Sequence, residues 1–368
     1  MDEQIVRIPV DMLKEFICEV FMRCGIPNDD ANICTEVLIT SDLHGIESHG
    51  IGRLKMYYER LKNKLQNPIT NINIIKESQT TSVIDGNHGM GMVIGFKSMN
   101  IAIQKARQFG IGAVAVRNST HFGIDGFYAL MAAKEGMIGM SFTNARPCVA
   151  PTFGTQPTLG TNPIAFSAPT DEECPFLYDA ATSITQRGKI EVLDRAEKTT
   201  PEGWVISKDA KTMTNPNDIL SKIPNQEAAL LPLGGEGEIL GGHKGYGLST
   251  IVEILSSALQ SGAFLFQLSG YDDKGKATHF RVGHFFMAIN IVNFAPLDVF
   301  RKNIGDILRS LRASLKSPGK SRIYTAGEKE FEMRKFIHEN GVPVNRKLEN
   351  DIKYLQEELN LKNYNFWA

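Results

Sequence analysis

The segment SDLHGIESHGIGRL, residues 41–54, sets His44, His49 and Arg53 among three glycines. Packing alone does not call for that mixture in a helix or strand. An imidazole can move a proton near neutrality, and a guanidinium can grip a carboxylate through two hydrogen bonds. On a helix, His49 and Arg53 are four apart and share a face, as do His44 and Ser48. This spacing predicts an acid/base histidine beside a carboxylate clamp. A metal site is the second reading. His44 and His49 are five apart, however, where the HExxH pattern uses four, and no acidic third ligand is evident. A solvated helix surface is the third reading, and all three stay open on this stretch alone.

Two other segments carry chemistry-bearing residues. In RNSTHFGIDG (117–126), His121 follows a predicted strand, where α/β sheets line their ligand crevices. It reads as a functional histidine or as a hydrogen-bonded loop residue. In GGHKGYG (241–247), glycines and Lys244 precede a predicted helix. Backbone N–H groups at a helix start and a nearby cation can hold phosphate, and a flexible turn with a solvated lysine is the alternative. The segment lacks the GK[ST] ending of a P-loop. GMGMVIG (89–95) misses the dinucleotide fingerprint: its third glycine is one place late, and no acidic residue closes the next strand, which ends in Arg117 and Asn118.

The elements that must position these residues follow from periodicity. Residues 1–65 read as helices. From 81 to 145 the order is strand (81–86), helix (91–110), strand (111–119), helix, strand (137–145), which predicts an α/β layer with some parallel pairing. NPIAFSAPT and PFLYDAAT add short strands. Residues 185–235 are polar and rich in Pro, Gly and Asn, which predicts long surface loops. YGLSTIVEILSSALQSGAF (246–264) reads as a helix, residues 283–300 as a strand, and two segments near the C-terminus as helices.

The 368 residues exceed one average domain and carry a formal net charge of −1. Basic residues are interleaved with acidic ones, which argues against nucleic acid. Five cysteines without CxxC spacing argue against a zinc ribbon or a disulfide framework and for reduced thiols in the cytoplasm. The N-terminus has no apolar signal region, and no stretch of about 18 apolar residues predicts a membrane span.

Seven motifs in order, SHGIGRL, RNSTHFG, GTNPIAF, YDAATS, LLPLGG, HKGYGL and GHFFMAI, resemble those of the malate/L-lactate dehydrogenase-like oxidoreductases. That family includes L-sulfolactate dehydrogenase, ureidoglycolate dehydrogenase and 2,3-diketo-L-gulonate reductase. The resemblance runs from about residue 5 to residue 360. It implies an L-sulfolactate dehydrogenase-like NAD(P)-binding α/β fold, a mixed sheet with flanking helices and no Rossmann domain. Residues 1–75 would form a helical region packed with helices of 300–368, and residues 76–299 the α/β cofactor-binding core. A homodimer is implied, with the active site near the subunit interface.

The resemblance further implies hydride transfer between nicotinamide and C2 of a 2-hydroxy or 2-oxo acid, malate/oxaloacetate foremost, with NAD or alternatively NADP and without a metal. His49 and His121 become the acid/base candidates, with Ser48 and Arg53 beside substrate. His121, Asn144, Ala145, Asp179, Ala180, Ala181, Lys244 and Gly327 become cofactor contacts, and Asp179 could alternatively orient His49. The rival within the family is an NADPH-dependent reductase of cyclic imino acids. The rival from another class is a metal-dependent hydrolase built on His44, His49 and His121. The chain departs from the family pattern in DAATS (179–183) for DMATS, in AGE (326–328) for PGE, in Asn290 for Asp, and in a longer, more charged segment 187–240.

Overall fold

A computed structural model describes residues 5–367, the side chain of Arg195 excepted. The N-terminal third opens with β1 (Val6–Ile8), α1 (Val10–Arg23), α2 (Asn28–Leu43) and α3 (Leu54–Lys62). The sheet region follows: β2 (Asn73–Glu77), β3 (Thr81–Asp85), α4 (Gly91–Phe109), β4 (Ile111–Ser119), α5 (Gly126–Lys134), β5 (Met137–Thr143), β6 (Ile164–Ala168) and β7 (Phe176–Ala180). Then come α6 (Arg187–Arg195), β8 (Val205–Ser207), α7 (Pro216–Lys222), β9 (Ala228–Leu230), α8 (Gly242–Ser256) and β10 (Val282–Asn290). The chain closes with α9 (Leu297–Arg312), α10 (Glu328–Asn340), β11 (Val342–Val344) and α11 (Arg346–Glu358).

Seven strands form one mixed sheet in the order β2-β3-β4-β10-β5-β6-β7. Strands β3 and β4 pair in parallel, and the other neighbours are antiparallel. The strand–helix–strand pattern of residues 81–145 is therefore present. Its third strand, however, does not lie beside its second. Strand β10 comes from far along the chain and separates β4 from β5. Helices α4 and α5 cover one face through an apolar cluster that includes Ile84, Ile94, Val114, Tyr128 and Phe286.

The N-terminal helices pack with the C-terminal end. One cluster joins Phe16, Val20, Leu38, Leu54 and Tyr57 to Ile352, Leu355 and Phe366. Phe16 is fully buried, with Tyr364 and Phe366 edge-on at 5.3 Å each. Strands β1 and β11 pair antiparallel and tie the two ends together. Burying each such side chain contributes roughly 1.5–3 kcal/mol.

Three expectations are corrected. Residues 185–235 are not long surface loops, for α6, β8, α7 and β9 build a small core around Ile190, Val205, Ile219 and Leu230. Its apolar residues are too thinly spaced among polar ones to show a period. The strand expected over 283–300 stops at Asn290, and Leu297 already opens α9. Finally, residues 44–53 are not α-helical. Helix α2 ends at Leu43, and a short 3-10 turn over Ile51–Arg53 leads into α3.

Candidate active site

The break between α2 and α3 sets the geometry of the glycine-rich stretch. Asp42, only 3% exposed, accepts the Ile51 N–H at 2.7 Å. A Cβ on Gly50 would fall 1.8 Å from Asp42 Oδ1, so only glycine fits there. Burial pushes the Asp42 carboxyl up to about 8, against the opposing pull of the Ile51 N–H. Asp42 is thus a neutral buried acid near pH 7 that ties the turn down.

His49 and Arg53 consequently do not meet as helix neighbours four apart, and they are linked through Ser48 instead. His49 Nδ1 lies 2.9 Å from Ser48 Oγ, and Arg53 Nε donates to the Ser48 carbonyl at 2.5 Å. This leaves the terminal nitrogens of Arg53 available for a carboxylate.

His121 lies in the loop after β4. Its ring is stacked with His49 at 5.6 Å between centroids and 20° between planes. Tyr57 Oη lies 2.5 Å from His121 Nδ1. The neighbouring Phe122 ring stacks on His284 at 4.2 Å and 6°. His284 is fully buried on β10, with Thr143 Oγ1 at 2.8 Å from Nδ1 and Ser119 Oγ at 2.7 Å from Nε2. Burial lowers it to about 3, so it is a neutral wedge joining the ends of β4 and β5.

The two stacked histidines are also held neutral. Burial first, and the Arg53 charge second, lower His49 to about 4. His121 is held well below its ordinary value by burial, then by His49, Arg60, Arg53 and His284. Arg53, Arg60 and Arg146 have no carboxylate partner among the described residues. The site is cationic and shaped for an anion.

His44 stands apart from this pair. It is 4% exposed, packs on Phe331 at 5.6 Å, and is lowered to about 4 by burial and by Arg334 and Lys134. Among the described residues, no group of three His, Cys, Asp or Glu side chains is placed to hold a metal ion. The hydrolase reading on His44, His49 and His121 therefore lacks its geometry.

The expected cofactor contacts fall in several places. Lys244 sits in the first turn of α8, beside a hollow of about 510 Å³ that Gly234, Glu238, Ile239 and Gly241 also line. Gly241 has a φ of +89°, and no side chain caps the helix. A Cβ on Gly242 would lie 2.0 Å from the Gly235 carbonyl, so glycine is required for the two segments to meet. An uncapped helix start with an adjacent lysine fits a phosphate group. The Asn144 side chain is used internally: Nδ2 reaches Ala263 O at 3.2 Å and Glu253 Oε1 at 3.4 Å, and Oδ1 accepts from Gly283 N at 2.8 Å. The Ala145 N–H donates to Asn162 Oδ1 at 3.2 Å.

Asp179 accepts the Gly126 N–H at 2.7 Å at the start of α5, so its hydrogen bond is not to the His49 ring. Burial raises it to about 6, and Asp125, hydrogen-bonded by Ser141, is raised well above the usual range by burial and by Asp179. Ala180 and Ala181 follow at the end of β7, half-buried. Gly327, at φ +93°, opens α10 against the backbone of Leu177.

Sequence reasoning missed Tyr57, Arg60, Asp42 and His284. The first two follow Arg53 at steps of four and three, the spacing of one helix face, which was the available signal.

The chain matches known proteins along nearly its whole length. It is 43% identical over 362 residues to a malate dehydrogenase of Pyrococcus horikoshii, covering 98% of each chain. An L-sulfolactate dehydrogenase of Methanocaldococcus jannaschii is 38% identical over 351 residues, covering 95% of this chain and 96% of that one. The crystal structure of malate dehydrogenase from Entamoeba histolytica superposes with a TM-score of 0.94 at 44% identity, covering 97% of this chain and 99% of the other. The mixed sheet is thus that of the sulfolactate and malate dehydrogenases, and kinship with dehydrogenases implies a nicotinamide cofactor. The family model described as malate/L-lactate dehydrogenase matches residues 8–353, and the chain belongs to that family of hydroxy-acid oxidoreductases.

Proposed function

We propose that the chain interconverts malate and oxaloacetate with NAD as cofactor. The observation that carries this reading is the pair of stacked histidines among arginines that lack carboxylate partners among the described residues. A dicarboxylate supplies the two negative charges such a site is missing.

The residues divide the work as follows. Arg53 holds the C1 carboxylate with its terminal nitrogens, since its Nε is engaged by Ser48. This orients C2. His121 Nε2 takes the hydroxyl proton in oxidation and returns it in reduction. With Nε2 free to act as the base, Nδ1 carries its proton and donates it to Tyr57 Oη in both charge states of the ring. Burial keeps the Tyr57 proton in place by raising its pKa well above the usual phenol value. His49, oriented by Ser48, adds a second imidazole against the substrate oxygen. The nicotinamide, when bound, supplies hydride exchange. Lys244 and the first-turn amides of α8 are proposed to hold its phosphates, with Ala145, Asp179, Ala180 and Ala181 contributing from neighbouring strand ends and Gly327 from the start of α10.

The helical region 1–75, packed with residues from 300–368, is read as the frame for the histidines, and residues 76–299 as the cofactor-binding core. The five cysteines are free thiols, which supports a cytoplasmic protein. No helix among the described residues is long and apolar enough to cross a membrane. Ile239 and Leu240, 98% and 80% exposed, line one hollow with Leu248 of α8, and Ile251 and Ile254 of the same helix are exposed as well, which supports a homodimer.

The test is NADH and NADPH consumption by purified protein with oxaloacetate, pyruvate and a cyclic imino acid. Fast turnover of oxaloacetate with NADH is the expected result. Turnover of the imino acid alone would refute the malate reading and retain the residue roles.

A further inference from the structure

Helix α3 carries Tyr57 and Arg60, and Arg53 is the helical N-cap residue just before it; at successive steps of four and three the three residues line one face. Tyr57 fixes what that face looks at, through its 2.5 Å contact with His121 Nδ1. Arg53 stands at one end of the row and Arg60 at the other. Their Cα atoms are two helical turns apart, about 10 Å. Two long side chains reaching inward from that separation bracket a short chain with an anionic group at each end.

Arg60 is half-buried, and its guanidinium lies 4.2 Å from the centroid of the Phe280 ring. Arg146, just beyond the end of β5, lies over Tyr271 at 5.9 Å. Phe280 and Tyr271 belong to one loop, held by a bridge between Tyr271 and Ala277 and by His88 Nδ1 on the Phe280 carbonyl at 2.9 Å. A single loop thus supplies stacking platforms for two arginines. Neither arginine meets a carboxylate among the described residues. Burial, with the charges of Arg146 and Arg53, holds the Arg60 guanidinium down to about 10. Like charges gathered without a counter-ion are unfavourable until an anion enters.

We propose that Arg60, seated on Phe280, is the specificity-determining residue that grips a second anionic group on C3 of the 2-oxo acid while Arg53 holds the C1 carboxylate. This rests on the dehydrogenase reading above and extends it. The ligand class is a 2-oxo or 2-hydroxy acid bearing a carboxylate or sulfonate at C3. Arg146 reinforces the same field from the rim.

The experiment compares oxaloacetate with 2-oxobutyrate, which puts a methyl where the second carboxylate stands. Steady-state kcat/KM is measured for both with wild type, Arg60→Gln, Arg60→Lys and Arg53→Gln. Arg60→Gln is expected to lower the oxaloacetate/2-oxobutyrate ratio by roughly 100-fold, with the loss in the KM for oxaloacetate. Arg60→Lys keeps the charge without the planar fork and is expected to lower the ratio roughly tenfold. Arg53→Gln lowers both substrates together and leaves the ratio within about threefold. A wild-type ratio in Arg60→Gln overturns the proposal while the malate reading stands. A raised Kd for the nicotinamide cofactor in Arg60→Gln, with the ratio unchanged, also overturns it. Absence of oxaloacetate turnover in the wild type refutes the malate reading and this proposal together.

Discussion

Tyr57 Oη lies 2.5 Å from Nδ1 of His121 and so joins helix α3 to the end of strand β4. Two elements distant in sequence meet at this hydrogen bond, and the proton-handling ring is oriented by it. Tyr57→Phe keeps the buried ring and deletes the partner. The expected result is a fall in kcat of roughly 10- to 100-fold, the worth of a hydrogen bond to a group that becomes charged. KM for oxaloacetate and the Kd for the cofactor should stay within about threefold, since the hydroxyl that is lost is engaged by His121. Steady-state kinetics with direct cofactor titration check this, and unchanged kcat would contradict the positioning role.

His49 and His121 are separated by their partners. His121→Gln removes the atom assigned to proton transfer and is expected to lower kcat by roughly 10²-fold or more in both directions. His49→Gln is expected to lower turnover by a similar factor, with an added loss in KM because His49 also faces the Arg53 clamp. The melting temperature of each variant should lie near that of wild type, which separates lost chemistry from lost fold. Wild-type turnover by both variants would sink the assignment.

The legibility of this site in the sequence follows from what each residue needs. His49, Arg53 and His121 stand in glycine-rich segments that packing does not explain, so their types alone marked them. Tyr57 and Arg60 were hidden because tyrosine and arginine are ordinary on an amphipathic helix, and only the break after Leu43 turns that face toward His121. His284 was masked by the alternation of its strand, where an inward histidine looks like any core position. The α/β layer was legible as strand and helix order, and the mixed sheet only through the family resemblance. The insertion of β10 between β4 and β5 was not, because pairing partners are set by long-range packing and leave no local period.

Gly50 is the smallest residue with a large expected effect. A Cβ there would collide with the Asp42 carboxyl at 1.8 Å, so Gly50→Ala must displace either the turn or the acid. That turn runs directly from His49 to Arg53. The expected result is a fall in kcat/KM of roughly 10²-fold, well beyond the roughly tenfold that a surface change near a site would give. Asp42→Asn is the counterpart test. Its amide oxygen can still accept the Ile51 N–H, and it mimics the neutral acid present near pH 7. Asp42→Asn should retain activity within about tenfold. The folded Asp42 pKa is raised, so wild type loses stability as pH rises toward about 8, where the folded carboxyl ionises. The asparagine variant has no such proton to lose, and its denaturant midpoint should change less with pH across that range.

The pH profiles of the two directions are expected to differ, and the sign follows from the histidines. In the free enzyme, burial and the arginine charges hold His49 at about 4 and His121 well below its ordinary value. Malate oxidation needs a neutral imidazole, which is already present at about pH 6. kcat/KM for malate reports the free enzyme and should therefore be flat from about pH 8 to about pH 6, declining only in more acid solution. Oxaloacetate reduction needs the protonated ring, so its kcat/KM should rise about tenfold for each unit that pH falls through the same range. A bound dianion offsets the arginines and raises the histidine pKa. The acid limb of kcat for oxidation should accordingly lie at higher pH than that of kcat/KM. An acid limb in kcat/KM for malate at or above about pH 6.5 would mean that the histidines titrate as if solvated, and the cationic, buried pocket would not be the site of proton transfer.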